Sequence, residues 1–399
     1  MRYLGASFSR LTCIPATSIL TITVLVGCGS SSPSSSSSSL ADTCITNQSA
    51  PLAVAIGARS NVPEATIPDY VTTLIEAAAN AGKQISLIRI DGQPKIFSPP
   101  PFTTNAQNSA ARQQDLVNYI NNNVQPILQG EIRAKVAQAD VLTALDLAAS
   151  ATGPDGNIVV IDSGLQTVAP LDYQQPGLLM SPASDLVAFL QQQRLMPDLT
   201  GRHVVLAGFG YTAAPQPTLN GPQQSNVLSQ WEAIVKAAGG CVTADTLPNT
   251  AAEIAGLPPV GIVRPPTTPT FSNCGTIKLE DAGSVGFTVG TATFRDPSGA
   301  QETLSRLANT LMQGGEHITL IGSTSSEGGN KLNDRLSLAR ARAVESVLVS
   351  KGIPTSRITA VGDGSHWPGR VNDRGRRGVL LPGPAETNRE VIVQLPQCT

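Results

Sequence analysis

From about residue 50 to 245, short apolar runs alternate with longer amphipathic stretches, and this alternation restricts the possible folds more than any other feature of the chain. The runs are 52–56, 85–90, 158–161, 203–207 and 241–244. Between them, apolar spacing predicts helices over 67–81, 107–149, 183–194 and 224–238, the second broken by Pro126. Runs this short, apolar at successive positions and bounded by Gly and Asp, suit strands covered on both faces, the condition of a parallel sheet. Strands alternating with helices then imply right-handed crossovers and an open, doubly wound α/β domain with a mostly parallel sheet.

On this pattern alone the region resembles a von Willebrand factor A-type or Rossmann-like arrangement. Such folds place ligands beyond the carboxyl ends of the strands, so the loops there carry the test. The first reads Ile56-Gly57-Ala58-Arg59-Ser60-Asn61. A von Willebrand-type metal site needs an Asp-x-Ser-x-Ser loop here, because a hard cation needs carboxylate and hydroxyl oxygens; no such metal is expected, and Ser60 and Asn61 are left to cap a helix or meet a polar ligand. The third loop, Ile161-Asp162-Ser163-Gly164, offers a serine, but a serine nucleophile requires a histidine base. The histidines are His203, His317 and His366, and His203 opens a strand at the opposite edge. Gly208-Phe209-Gly210 follows a strand, yet Ala213 stands where a dinucleotide fingerprint needs its third glycine, and proline-rich sequence follows instead of a helix. No cofactor is expected.

The N-terminus reads as an export signal. Arg2 and Arg10 precede an apolar run over 19–26 that is too short to span a bilayer, which takes about 20 residues, and reads as a signal-peptide core. Leu25-Val26-Gly27-Cys28 resembles the bacterial lipobox, which implies removal of residues 1–27 and acylation of Cys28 on sulfur. An ordinary secretory signal or a short membrane anchor are the alternatives. Residues 29–39, GSSSPSSSSSS, form a polar tether suited to standing a folded body off a membrane, so 28–43 is expected to be a lipidated spacer. The implied location is the cell envelope, membrane-anchored on the extracytoplasmic face. A net charge of -2 and a pI near 6.0 leave no excess of cations for nucleic acid.

Once Cys13 leaves with the signal and Cys28 takes lipid, Cys44, Cys241, Cys274 and Cys398 remain. In an oxidising compartment four cysteines favour two disulfides, with three connectivities open and free thiols as the alternative. Pairing Cys44 with Cys241 and Cys274 with Cys398 would bracket each of two domains, 44–250 and 274–399. Between them, 251–273 carries Pro258, Pro259, Pro265, Pro266 and Pro269 and reads as a stiff linker.

Beyond the linker, the pattern predicts strands at 286–289, 317–321, 358–361 and 390–395 and helices at 299–313 and 333–351, a β-α-β-α-β-β sandwich of the α+β class. The second helix carries Asn333-x-x-Leu336-Ser337-x-x-Arg340-Ala341-x-x-Val344-x-x-x-Leu348. Around it stand Gly322-Ser323-Thr324, Lys351-Gly352-Ile353, Gly362-x-Gly364 with Pro368, and Asn388-Arg389. In this order these segments resemble OmpA-like peptidoglycan-associating domains over about 284–396. The resemblance implies a non-enzymatic domain that binds peptidoglycan through Thr324, Ser325, Asn333, Leu336, Arg340 and Arg389. Its ligand would be the diaminopimelate of a stem peptide.

Spacing alone places Leu336, Ala343, Val344, Val347 and Leu348 toward the sheet, and sends Arg340 from the helix flank to solvent or a carboxylate. An arginine can grip a carboxylate bidentately, and free N–H groups at a helix start near Asn333 would add a positive field, each contributing about 1 to 3 kcal/mol. One position departs from the family: where it has Asp for the ammonium of the stem, this chain has Ser325, with Glu327 and Asp334 as possible substitutes. Arg370, Arg374, Arg376 and Arg377 fall in an insertion read as a solvated loop, with anionic wall polymers as the alternative.

The leading expectation is a wall-binding lipoprotein whose α/β domain binds an unknown envelope protein. The rivals are a C-terminal protein-interaction module that lost its ligand with the Asp, and an envelope hydrolase centred on Asp162 and Ser163.

Overall fold

The computed structural model describes Cys44 and residues 47–398. Cys28, the leader before it and the serine-rich tether lie outside the described residues.

The predicted strands form as β1 (Leu52–Ile56), β2 (Ile85–Arg89), β4 (Asn157–Ile161), β5 (His203–Ala207) and β6 (Cys241–Asp245), with a short β3 (Lys95–Phe97) between the second and third. They make one sheet in the order β3-β2-β1-β4-β5-β6, parallel except for β3. Successive side chains leave a strand on opposite faces. Ala53 and Ala55 of β1 therefore enter one core, with α3 (Val141–Thr152), α4 (Ala183–Gln193) and α5 (Gly221–Ala237). Leu52, Val54 and Ile56 enter the other, under α1 (Asp69–Asn80) and α2 (Ser109–Tyr119). Two cores explain why all five residues of β1 are buried, each large aliphatic side chain contributing roughly 1.5–3 kcal/mol.

The helix expected over 107–149 with a break at Pro126 is broken later, over 132–140. α2 runs into two wide π-type turns, Ile120–Val124 and Ile127–Glu131, on either side of Pro126, which has no N–H to give to a regular ladder. The chain restarts at Asp140, whose carboxylate accepts the Thr143 N–H at 3.0 Å and caps α3. α5 begins three residues before the expected start, because Asn220 and Gln223 form a reciprocal capping box.

The second sheet is β7 (Thr276–Glu280), β8 (Ile318–Gly322), β9 (Ile358–Gly362) and β10 (Glu390–Gln394), in the order β7-β10-β8-β9. β10 lies antiparallel to both neighbours, and β8 and β9 are parallel. α6 (Pro297–Met312) and α7 (Asn330–Ser350) cover one face through Leu304, Leu307, Val344 and Leu348. A short α8 (Pro382–Thr387) precedes β10. The expected strand at 286–289 is a loop, closed by the Phe287–Phe294 bridge. The first strand is β7, whose period-two burial marks a strand with one wet face.

Disulfides join Cys44 to Cys241 and Cys274 to Cys398. The proline-rich stretch is not a free spacer. Asn61 donates to the Val260 and Gly261 carbonyls, and Gln216 exchanges two hydrogen bonds with Val263, so this stretch is stitched along the α/β domain. Asn61, expected as a helix cap or a ligand contact, holds the linker from a left-handed conformation (φ 74°).

Candidate functional site

Two places in the fold have the chemistry of a site. The first is the point where the strand order of the large sheet reverses, between β1 and β4, where open α/β sheets bind ligands. Here the Arg59 guanidinium donates to the Asp162 carboxylate at 2.8 Å, both side chains essentially without solvent contact. Burial pushes the Asp162 carboxyl up and the Arg59 guanidinium down, each opposed by the other's charge. Gly57 is required beside them, because a side chain there would overlap the Asp162 carboxylate. Ser163 is buried and its hydroxyl accepts the Leu165 N–H at 3.3 Å, while His203 begins β5 at the other end of the strands. The crevice is filled by the protein's own ion pair.

The second place is at the end of β8. Three glycines and a serine seat α7 against the sheet. A Cβ on Gly322 would overlap the Ser337 carbonyl, and one on Gly362 would sit 2.6 Å from the Leu338 nitrogen, so helix and strands approach as closely as backbones allow. The Ser337 hydroxyl donates to the Asp334 carbonyl at 3.0 Å and accepts the Gly364 N–H at 2.9 Å. The spaced motif is thus first a device for docking α7 onto β8 and β9.

That docking opens a cavity of about 220 Å³ lined by Thr324, Ser325, Asn333, Leu336, Arg340 and Arg389 together. Leu336, expected in the core, is half-buried on the cavity wall. The helix starts at Asn330, three residues earlier than expected, so the Asn333 N–H is already bonded to the Gly329 carbonyl and adds no free donor. The Asn333 amide instead donates to the Ser325 carbonyl at 3.3 Å and fixes the strand-end loop.

Arg340 is only 3% exposed, so the expectation that it reaches solvent or a carboxylate fails on both counts. Its Nε donates to the Thr291 carbonyl at 3.0 Å, and its guanidinium lies 5.1 Å from the centre of the Phe287 ring. Among the described residues no carboxylate lies within ion-pairing distance of it, and burial lowers its pKa, with Asp281 acting the other way. Arg389 differs. Its guanidinium meets Glu386 at 3.1 Å, Asp185 at 2.7 Å and Glu327 at 3.3 Å. Burial works against its charge, but Glu386 and Asp185 more than offset that and raise its pKa. Glu386 is itself pushed up to about 8 by burial and by Asp281, against the pull of Arg389 and Arg295.

Several contributors escaped the sequence. Phe287, Val289 and Gly290 form a wall from the loop expected to be a strand. Pro182 comes from the α/β domain, as does Asp185, which lies 204 residues from Arg389 and carries no local signal. Glu386 had one, standing a helical turn before Arg389. In the insertion, Arg374 donates to the Ser326 hydroxyl and carbonyl and Arg370 pairs with Asp373, so two of the four arginines brace the site loop.

A four-stranded mixed sheet carrying this helix motif and this cavity defines a protein with an OmpA-like domain, and residues 286–376 match the OmpA family model. The chain belongs to the OmpA family. It is 30% identical over 138 residues to a peptidoglycan-associated lipoprotein of Brucella melitensis, covering 34% of this chain and 76% of that protein. Against the probable lipoprotein YiaD of Escherichia coli it is 39% identical over 121 residues, 30% of this chain and 52% of that one. A solved peptidoglycan-associated lipoprotein from Burkholderia pseudomallei is similar at 21% identity and a TM-score of 0.23, over 30% of this chain and 88% of the other. The fold class read from the sequence, an α/β domain followed by an α+β OmpA-like sandwich, is the one found.

Proposed function

We propose that this protein is an extracytoplasmic lipoprotein, held in a membrane through acylated Cys28, that grips the diaminopimelate of a peptidoglycan stem in the cavity beside α7. The observation that carries the reading is Arg340: a buried cation on a cavity wall with no carboxylate of its own. Isolated buried charge is costly, so the site is built for an anion that arrives from outside. A ligand carboxylate would meet the guanidinium fork, with Thr324 Oγ1, buried and without a partner among the described residues, as a further donor. Relatives named peptidoglycan-associated lipoproteins support peptidoglycan as the source of that anion. The role is mechanical and non-enzymatic, and the α/β domain serves as the arm that meets an unidentified envelope protein. Many copies along one wall offset weak single sites by avidity.

Co-sedimentation of residues 41–399 with diaminopimelate-containing sacculi tests this. Pelleting is expected, and both Arg340→Ala and excess free diaminopimelate should abolish it. Wild-type protein left in the supernatant would instead make the cavity the docking site of a protein carboxylate.

A further inference from the structure

The cavity borrows from the other domain. Arg389 Nη2 donates both to Asp185 of α4, at 2.7 Å, and to Glu327 of the strand-end loop, at 3.3 Å. Nη1 is taken by Glu386 at 3.1 Å. The Asp185 side chain is 4% exposed and that of Glu327 is 57% exposed, so Asp185 is the fixed partner and Glu327 the one with room to turn. Pro182, just before α4 begins, lies on the cavity wall with Glu327.

We propose that the α/β domain completes this recognition site: Asp185 satisfies Arg389, which leaves the Glu327 carboxylate available to a ligand ammonium while Arg340 holds the ligand carboxylate. The inference rests on the cavity being the diaminopimelate site. Its ground is the charge inventory. Arg295 is bound to Asp281 at 2.7 Å and Arg389 to Glu386 and Asp185, so the charges left to face a ligand are the Arg340 cation, which has no ion pair among the described residues, and the exposed Glu327 anion, which shares Arg389 Nη2 with Asp185. Ser325 lines the cavity but brings no charge. Asp334 lies off the wall, 3.9 Å from His366. One cation inside and one carboxylate at the rim match a ligand that carries an ammonium and a carboxylate on one carbon, as the free end of diaminopimelate does. Without Asp185, Glu327 is the carboxylate left for Nη2 and would be drawn to it. Asp185 is therefore a positioning residue, and Glu327 a binding residue.

The test is displacement of residues 41–399 from sacculi by free meso-diaminopimelate and by pimelate, which has the same two carboxylates and no amine. Wild type should be displaced by diaminopimelate at roughly tenfold lower concentration, the size of one charge-assisted hydrogen bond. Glu327→Gln should erase that preference while pimelate still displaces, which also reports an intact fold. Adding Ser325→Asp to Glu327→Gln should restore the preference. Asp185→Asn should reduce it, and adding Glu327→Gln to that variant should erase only the part that is left, less than the same change takes from wild type. The inference is overturned if Glu327→Gln keeps the preference, or if Asp185→Asn leaves it equal or stronger. If wild type never pellets, the wall-binding reading falls as well, which separates the two failures.

Discussion

Arg59 and Asp162 face each other at 2.8 Å across the point where the strand order of the large sheet reverses, closed off from solvent. Removing one partner of a buried pair strands the other charge. Asp162→Ala should therefore destabilise by about 3–5 kcal/mol, and adding Arg59→Met should recover part of the loss because no charge then stays buried. Urea unfolding of the two variants measures this. A double variant worse than Asp162→Ala would mean that Arg59 has a second, unseen partner.

Glu386 gives the C-terminal domain a pH dependence whose sign is fixed. Its folded pKa of about 8 lies above the ordinary 4.5, so between those values the folded protein holds a proton that the unfolded chain has released. Its contribution to stability is full below the lower value and is lost as pH rises toward the upper one. Glu386→Gln cannot titrate, so its Tm should gain on wild type by several degrees between about pH 5 and about pH 8. Scanning calorimetry across that range decides it. The opposite trend would mean that Arg389 and Arg295 keep the carboxylate ionised throughout.

Cys274 and Cys398 lie 124 residues apart and tie the start of β7 to the chain just after β10, closing nearly the whole C-terminal domain into one loop. By loop-closure entropy, Cys274→Ser with Cys398→Ser should cost roughly 2–5 kcal/mol. A melt in which reductant shifts wild type further than the double variant, which keeps only Cys44–Cys241, checks the assignment.

Much of this architecture could be read from sequence, for reasons that differ by element. The parallel strands were visible because two cores demand apolar residues at every position, as in Leu52–Ile56. β7 was not, because only Ile277 and Leu279 are buried in it and three of its five residues face water. The six cavity residues were legible because one tightly docked helix and strand-end loop carry most of them. The electrostatics were not. Whether Arg340 is paired or alone depends on Thr291, Phe287 and on every described carboxylate lying beyond ion-pairing distance, and one partner of Arg389 sits in another domain.

That solitude of Arg340 leads to the last expectation. A buried guanidinium with one backbone acceptor, an aromatic face and no ion pair among the described residues does not earn its place through stability. Arg340→Met keeps an unbranched apolar side chain in the buried position while removing the desolvated charge. Its Tm should match or exceed that of wild type, whereas its pelleting with sacculi should fall at least tenfold, since the anion loses a bidentate partner. Arg340→Lys sharpens the point: it keeps the charge but loses the fork, so it should lose binding without gaining stability. Thermal melts and co-sedimentation of both variants measure the two quantities separately. A large drop in Tm for Arg340→Met would show that the arginine is there to hold the loop at Thr291 rather than to receive a ligand.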